Sequence, residues 1–199
     1  MEVTNHAEKE AMDVFEHKTY KNVNFGDRGF IKGTYENCTF TNCVFPGSDL
    51  SNFIFSDCDF LGCDASLAKI GKTAFRADRF RECKLLGMHF EQCNPFLFSA
   101  DFEKCILNLS SFYKLSLKKI RFKDCSLHEV DFTESDLSSS LFDNCDLTKA
   151  IFQRTTLFKA DFRTSYNYSI NPETNRIKKA KFSIAGVAGL LDKYDIEIG

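Results

Sequence analysis

Every fifth residue between positions 102 and 162 is phenylalanine or leucine, and the two types alternate strictly. The series runs Phe102, Leu107, Phe112, Leu117, Phe122, Leu127, Phe132, Leu137, Phe142, Leu147, Phe152, Leu157, Phe162. Two residues before each member lies a small or apolar residue, such as Ala100 or Cys105, and the residues between are mostly polar. A period of five matches neither the 3.6 residues of a helical turn nor the two-residue alternation of a strand. The pattern is therefore an internal repeat, which sets the architecture of the chain.

Each five-residue unit offers one large and one small inward side chain two positions apart, as one short extended side of a coil would. A single unit buries little, so successive coils must stack through backbone hydrogen bonds, which gives a β-solenoid. The cysteines indicate the length of a coil because they recur at intervals of twenty residues. The clearest series are Cys43, Cys63, Cys83 and Cys105, Cys125, Cys145. We therefore predict an all-β solenoid whose coils have four sides of five residues.

The repeat divides the chain into three parts. Residues 1–14 follow no five-residue pattern and are expected to form a frayed tail or a short cap. Residues 15–182 are predicted to form the solenoid, in one register from 15 to 90 and a second from 100 to 182, with a register slip at 91–99. Residues 183–199 are predicted to form a helix, with Ser183 as its N-cap, and a short strand that close the solenoid and make a dimer contact.

Two places depart from the regular core pattern. Ala65 is the one undersized residue of the first register, and it marks either a cavity or kink or simply a tolerated small core residue. In the slip, Pro95 cannot donate to a backbone ladder and favours a bulge. Phe96 and Phe98 flank Leu97, so we expect one of the two phenylalanines on the surface. The slip is either a plain bulge or a loop through which Pro95, Phe96 and Phe98 contact a partner.

Composition argues against several classes of protein. Most of the 22 phenylalanines fall on the five-residue register, so their excess reflects the core, and the net charge of −2 gives no sign of direct nucleic-acid binding. All of the nine cysteines except Cys93 occupy small inward positions, where a reduced cysteine acts as a compact apolar residue. With neither a signal peptide nor a membrane-spanning run in the sequence, we expect a cytoplasmic protein without membrane contact.

No catalytic chemistry is expected. The four histidines, His6, His17, His89 and His128, have no ligand or base partner at the spacing of a known motif. The sequence has no glycine-rich phosphate loop, no nucleophile elbow and no CxxC pair. We therefore predict a protein that is not an enzyme and holds neither a metal nor a cofactor.

Charge is concentrated in one outward-facing segment. Between Lys123 and Lys149 the chain has no lysine or arginine but has Asp124, Glu129, Asp131, Glu134, Asp136, Asp143 and Asp146. Cations gather instead at 114–123 and at 176–181. We predict a rod banded by charge along its axis, with a sizeable negative potential in its C-terminal half.

The repeating unit of small, polar, Phe/Leu, polar, polar resembles that of pentapeptide-repeat proteins over about residues 15–182. Four segments further resemble the bacterial branch that confers resistance to fluoroquinolones or to albicidin, most of all the albicidin-resistance type. These segments are 102–113 (FEKCILNLSSFY), 130–136 (VDFTESD), 176–183 (RIKKAKFS) and 190–197 (LLDKYDIE).

The resemblance implies a right-handed quadrilateral parallel β-helix and a head-to-head homodimer through the C-terminal helix and strand. The apolar residues expected at that interface are Ile184, Val187, Leu190, Leu191, Tyr194, Ile196 and Ile198. It also implies a rod that mimics the size and charge of duplex DNA and binds DNA gyrase, and in some members topoisomerase IV. The alternative is a general protein-interaction scaffold that presents a flat side, or Phe96 and Phe98, to an unrelated partner.

Overall fold

A computed structural model of the chain describes residues 12–45, 47–96 and 98–197. Within them, short strands follow one another: β1 (Asp13–Glu16), β2 (Thr19–Lys21), β3 (Gly33–Glu36), β4 (Thr39–Thr41), β5 (Ile54–Ser56), β6 (Asp59–Leu61), β7 (Ala74–Arg76), β8 (Asp78–Arg81), β9 (Ala100–Glu103), β10 (Arg121–Lys123) and β11 (Leu141–Asp143). The helical structure of the described residues is one α-helical turn, α1 (Phe25–Arg28), and 3-10 turns at Phe90–Gln92, Val187–Leu190 and Asp192–Tyr194.

The strands pair in parallel and build a four-sided solenoid. Side 1 carries β1, β3, β5 and β7, and side 2 carries β2, β4, β6, β8, β9, β10 and β11. Partners in the ladder are twenty residues apart, as in Phe40↔Phe60 and Phe122↔Phe142. Sides 3 and 4 are held by isolated parallel bridges such as Asp64↔Lys84 and Ser111↔Asp131. The predicted all-β solenoid with a coil of four five-residue sides is therefore confirmed.

Aromatic rings fill the interior. On side 2 an unbroken column of rings runs from Tyr20 to Phe182, with centroids of successive rings 4.6 to 5.5 Å apart and planes nearly parallel. On side 4 a second column joins Phe90, Phe112, Phe132 and Phe152. Rings of the two columns meet edge to face, as Phe112 and Phe122 do. Offset stacks and edge contacts are the favourable geometries for aromatic pairs. Phenylalanine therefore packs well both along the axis of the solenoid and across its interior.

Each corner between two sides is made by a residue in the left-handed backbone conformation. Such residues lie two positions after the large inward residue, as Asp124 (φ 53°), Glu129 (φ 55°) and Glu134 (φ 58°) do. Glycine occupies the same position at Gly62 and Gly87. Because this conformation costs a non-glycine residue roughly 1 kcal/mol or more, the corners are stabilised by the packing of the sides they join. Their side chains point away from the core and carry much of the surface charge.

The register slip adds its two residues between levels of the stack. Across it, ladder partners are 22 residues apart, as in Phe80↔Phe102, whereas side 2 continues without a break. The loop is anchored by backbone bonds from Asn94 to Thr73 (2.8 Å) and from Ser99 to Phe75 (3.0 Å). Side 1 therefore loses its regular strands at this level, whereas the aromatic column of side 2 carries the solenoid through it.

The two ends differ from the sequence prediction. The first strand includes Asp13 and Val14, so the solenoid begins before residue 15; residues 1–11 of the predicted tail lie outside the described residues. In place of the predicted C-terminal helix and strand, residues 183–197 form two 3-10 turns and no strand, and Ile198 lies outside the described part.

Two glycines explain why the C-terminal segment does not form an α-helix. Gly186 and Gly189 lie so close to Tyr168 that a Cβ atom on either would collide with it. The carbonyl oxygen of Gly189 also accepts a hydrogen bond from Ile170 N (2.8 Å). Each glycine costs an α-helix about 1 kcal/mol relative to alanine. The segment instead folds flat onto the last coil, and Ser183 Oγ accepts from Gly186 N (3.0 Å).

Ala65 borders a cavity inside the solenoid. The cavity has a volume of about 20 Å³ and is lined by apolar side chains, among them Phe45, Phe60, Leu85 and Met88. Ala65 occupies the large inward position of side 3, between Phe45 and Leu85, and is buried. Of the two interpretations left open by the sequence, the structure supports the cavity.

Asp78 is a carboxyl group at a small inward position, where most units have cysteine, serine or alanine. It is almost fully buried, and its two carboxyl oxygens accept hydrogen bonds from Cys58 N and Arg76 N, each 2.8 Å long. Burial raises the pKa of Asp78 to about 8, although the two N–H groups oppose the shift. At equivalent positions Ser110 and Ser165 accept the same kind of N–H bond without a charge.

We expect Ala65→Leu to stabilise the protein by about 1 kcal/mol, because the added methylenes fill an apolar cavity. Urea unfolding followed by circular dichroism measures the change. Ala68→Leu is the matched control: it makes the same substitution at a small inward position, where overpacking should destabilise by roughly 1–3 kcal/mol. If both variants lose stability equally, the cavity at Ala65 does not accommodate the added atoms.

We expect Asp78 to make stability fall as pH rises. Its folded-state pKa of about 8 lies above the unfolded value of about 3.9, so the folded state holds the extra proton between these pH values. The stability of wild type relative to Asp78→Ser should therefore decrease from pH 5 to pH 8, by more than about 1.4 kcal/mol, the equivalent of one pKa unit. Urea unfolding of both proteins at the two pH values tests this. No change between the two pH values would show that the two N–H bonds keep the carboxylate ionised in the folded state.

Candidate functional site

The predicted acidic residues encircle the rod instead of forming one patch. Asp124, Glu129 and Glu134 occupy three successive corners of one coil. Asp131 and Asp136 lie on sides 4 and 1 of that coil, whereas Asp143 and Asp146 lie one coil further along, on sides 2 and 3. Solvent reaches all of these side chains, since none of the seven is fully buried.

Three of the seven acids have lysine or arginine partners on neighbouring coils. Glu134 contacts Arg154 (2.6 Å) and Lys114 (3.5 Å), and the Arg154 hydrogen bond lowers the pKa of Glu134. Glu129 lies 3.9 Å from Lys149. Because these partners are twenty residues away, the cation-free segment of the sequence is not a cation-free surface. The prediction of an uncompensated acidic band is wrong for these positions.

Asp136 is the third acid with a cation, since Lys118 lies 3.3 Å away. Desolvation of Asp136 is outweighed by hydrogen bonds from Ser138 and Lys118, which lower its pKa. Asp146 accepts hydrogen bonds from Thr148 and Asn167 and contacts His128 Nε2 at 2.8 Å. These bonds prevail over desolvation and lower the pKa of Asp146 to about 2.

The remaining three acids have neutral partners in the described structure. Asn144 Nδ2 donates to Asp124 (2.7 Å), Thr164 Oγ1 donates to Asp143 (2.9 Å), and the backbone N–H of Thr133 donates to Asp131 (2.8 Å). Asp124 and Asp143 are also neighbours across the stack, because Asp124 N donates to Asp143 O. Asp124, Asp131 and Asp143 therefore have no lysine or arginine ion pair among the described residues, although Lys123, which pairs with Glu103, also attracts Asp124 and Asp143.

The slip separates its two phenylalanines. Phe96 is 80% exposed, and its backbone N–H is bonded to Asn94 Oδ1 (3.0 Å) in a tight turn. Phe98 points inward and meets Phe75 and Phe90 edge to face. Pro95 is exposed beside Phe96. A partner at this loop would therefore meet Pro95 and Phe96, whereas Phe98 belongs to the core.

The C-terminal residues predicted for a dimer interface lie partly on the surface. Ile184 is 96% exposed, and Val187, Tyr194 and Ile196 are also exposed. Leu190 packs against the core and Leu191 is half-buried. Tyr194 is fixed by a hydrogen bond to Glu173 Oε1 (2.9 Å). An exposed apolar surface therefore covers this end of the rod.

A second apolar surface was not predicted from the sequence. Leu67, Leu86, Ile106 and Leu109 are exposed on side 3 and its following corner, over three consecutive coils. Leu67 N donates to Leu86 O (2.9 Å), and Gly87 leaves the space in which Leu67 lies. We call these four leucine and isoleucine residues the apolar corner. Comparing outward positions at intervals of one coil would have revealed it.

The described residues contain no group of three or more His, Cys, Asp or Glu side chains arranged to hold a metal ion. The nine cysteines are free and buried, and burial raises the pKa of Cys58 to about 12. No helix in the described part of the chain is long and apolar enough to cross a membrane.

Comparison with known proteins identifies the family. A family model described as a pentapeptide repeat region matches residues 34–95 and 96–167, which is most of the chain. No curated protein sequence matches.

Among solved structures, a trypsin-treated form of QnrB1, a plasmid-mediated fluoroquinolone resistance protein, is similar at 20% identity. The match covers 94% of this chain and 100% of that one, with a TM-score of 0.42. HetL, a pentapeptide repeat protein involved in heterocyst differentiation regulation from the cyanobacterium Nostoc sp. strain PCC 7120, is 13% identical, over 86% of this chain and 88% of that one, with a TM-score of 0.36. On the strength of the family match and the four-sided coil, this chain belongs to the pentapeptide-repeat family.

Proposed function

We propose that this protein is a non-enzymatic rod that binds DNA gyrase, mimics part of the charge of duplex DNA and so modulates the enzyme or protects it from inhibitors of the quinolone or albicidin type. The target is suggested by the sequence resemblance of residues 102–113, 130–136, 176–183 and 190–197. The geometry supports binding without catalysis, because aromatic rings fill the interior. A partner therefore contacts the outward side chains.

The observation that carries the proposal is the pair formed by Asp124 and Asp143. These two carboxylates lie on adjacent coils and have neutral hydrogen-bond partners. Coils about 4.8 Å apart space them on a scale comparable to the phosphates of a DNA strand, which rise about 3.4 Å each. Asp131 adds a third such charge on side 4 of the coil that holds Asp124.

The length of the rod also suits binding at the surface where gyrase holds DNA. The ladder of side 2 extends from Thr19 to Lys181, including the bridges of Asp161 to Leu141 and Lys181. At about 4.8 Å per coil this gives a rod of about 40 Å, and an end-to-end dimer of about 80 Å. In this proposal the partner is a cytosolic topoisomerase. The homodimer forms through Ile184, Val187, Tyr194 and Ile196.

The apolar corner favours a second candidate function. Four exposed aliphatic side chains on three consecutive coils suit a protein partner recognised by apolar contact. In that case the rod is an interaction scaffold, and its binding responds weakly to salt. The two candidates involve different sides of the molecule, so separate variants distinguish them.

We expect the protein to inhibit gyrase supercoiling, or to rescue it from drug, at low salt. The triple variant Asp124→Asn, Asp131→Asn, Asp143→Asn should bind gyrase about tenfold more weakly, because three exposed charge contacts contribute about 0.5 kcal/mol each. Asparagine retains the ability to accept each of the three hydrogen bonds. Supercoiling assays and surface plasmon resonance at two salt concentrations measure the effect.

The matched control is Glu129→Gln, Glu134→Gln, Asp136→Asn, which removes the same charge from acids that already have lysine or arginine partners. We expect it to bind within about threefold of wild type. Equal losses in both triple variants would refute a special role for the three acids that lack a lysine or arginine ion pair. Absence of any effect of the wild-type protein on gyrase would refute the target. Loss of binding only in Leu67→Glu, Leu109→Glu would favour the scaffold.

We expect Ile184→Glu with Ile196→Glu to convert a dimer into a monomer, because two buried carboxylates would replace apolar contacts at the interface. Light scattering at several concentrations gives the mass. Leu67→Glu, which adds a charge at another exposed apolar position far from this end, should leave the dimer intact. A wild-type protein of single-chain mass would contradict the dimer itself.

A further inference from the structure

Two basic segments that are far apart in the sequence share one edge of the solenoid. Residues 118–121 and 178–181 are sixty residues apart, which is three coils. Backbone bonds link the intervening levels in order: Lys119 N to Ser138 O, Ser139 N to Phe158 O, and Lys159 N to Lys178 O. Bridges on side 2 give the same alignment, from Arg121 through Leu141 and Asp161 to Lys181. The stacking therefore merges two separate cation groups into a single surface.

We call this surface the basic edge. It lies at the corner between sides 1 and 2 and consists of Lys118, Lys119, Arg121, Lys159, Lys178, Lys179 and Lys181, all of which are exposed. Its first and last levels are about 14 Å apart, at about 4.8 Å per coil. Between them lies a shallow open depression lined by Ser139, Ser140 and Leu141, with Lys159, Lys179, Lys181 and the carboxylate of Asp161 around it.

Most cations of the basic edge have no carboxylate partner. Lys118 pairs with Asp136 (3.3 Å) and Lys181 with Asp161 (3.4 Å). No ion pair joins the other five to any acid in the described part of the chain. These five are Lys119, Arg121, Lys159, Lys178 and Lys179. By contrast, three of the seven acids discussed above are neutralised by lysine or arginine. The uncompensated charge of the basic edge is therefore positive, although Asp101 and Asp161 are the ladder neighbours of Arg121 and Lys181 on side 2.

We propose that the basic edge binds the phosphate backbone of duplex DNA. The row of cations is about 14 Å long, which is close to the axial rise of about four phosphates of one strand at about 3.4 Å each. About four phosphates of the nearer strand face the edge. Arg121 contributes a guanidinium that grips phosphate through two N–H groups, and the lysines contribute point charges.

Sequence composition concealed this surface. The chain as a whole has a net charge of −2, which argues against direct nucleic-acid binding when charge is averaged over the molecule. The solenoid separates the charges, because corner residues of successive coils stack in columns. The charge of one column is independent of the charge of the others. The binding is to backbone phosphates and carries no base preference, because no side chain of the edge is placed on a groove-reading element.

The test uses the full-length protein alone with a short fluorescein-labelled DNA duplex, followed by fluorescence anisotropy. We expect micromolar binding at about 50 mM KCl that weakens roughly 100-fold at about 200 mM, as about four phosphate contacts require. The variant Lys119→Glu, Lys159→Glu, Lys179→Glu should lose at least tenfold in affinity. Glutamate suits these left-handed corner positions, because Glu82, Glu129 and Glu134 occupy the equivalent corners in the native chain.

The control variant is Lys72→Glu, Lys104→Glu, Lys149→Glu. It makes the same charge change at the same repeat position, since all three lysines have φ between 53° and 58°, but on other corners of the rod. We expect its affinity to stay within about threefold of wild type. Equal weakening by both triple variants would show that total charge, and not the edge, governs binding, and would overturn the proposal.

Two further outcomes also overturn it. One is the absence of duplex binding by wild type at low salt; the other is binding that the edge variant retains.

Anionic vesicles serve as a competitor of another class: if they bind through the edge and the duplex does not, the surface belongs to a membrane headgroup. If circular dichroism shows the edge variant to be unfolded, Arg121→Gln with Lys178→Gln replaces it. Gyrase is absent from the assay, so failure here leaves the proposed function standing.

Discussion

The contact between one coil and the next, twenty residues later, is the interaction on which the rest of this structure depends. Backbone N–H groups donate to carbonyl oxygens of the neighbouring coil, and rings of the same position stack at 4.6 to 5.5 Å along side 2. No single unit buries enough to be stable alone, so stability comes from neighbours in the stack. The slip illustrates the strength of this contact: two extra residues interrupt side 1, whereas the aromatic column of side 2 passes from Phe80 to Phe102 at 5.3 Å.

Closing a coil every twenty residues requires four sharp corners, and these corners determine where the functional side chains lie. Most are left-handed residues other than glycine, including Lys119, Glu129 and Lys159. Each costs roughly 1 kcal/mol or more in backbone energy, which the ladder and the ring stacks offset. In return, a corner holds its side chain away from the core at a fixed height. Charge at corners is thus arranged in columns, and substitutions between polar residues there leave the core untouched.

The buried residues were predictable from the sequence, whereas the contacts between outward side chains of adjacent coils were not predicted. Residues 102–162 follow a period of five, and that period together with the twenty-residue spacing of the cysteines gives the coil, its four sides and the buried set. Glu134 pairs with Arg154 and Lys114, each twenty residues away, and only a comparison of outward positions one coil apart predicts such pairs. The prediction of a C-terminal helix is wrong for a different reason. Residues 184–194 have a helical apolar pattern, but Gly186 and Gly189 pack closely against Tyr168, a contact that no local pattern reveals.

Stacking at fixed height also explains how a nearly neutral protein presents two charged surfaces of opposite sign. Identical repeat positions on different corners are independent, so Lys119, Lys159 and Lys179 form one column while Asp124 and Asp143 lie together at another place on the rod. Where a column alternates in sign, as Asp59 and Arg79 do on side 2, an ion pair between the two residues satisfies it internally. Where it does not alternate, the charge is available to a partner. The sign pattern at intervals of one coil, and not the net charge, therefore determines which polyion each edge of the rod attracts.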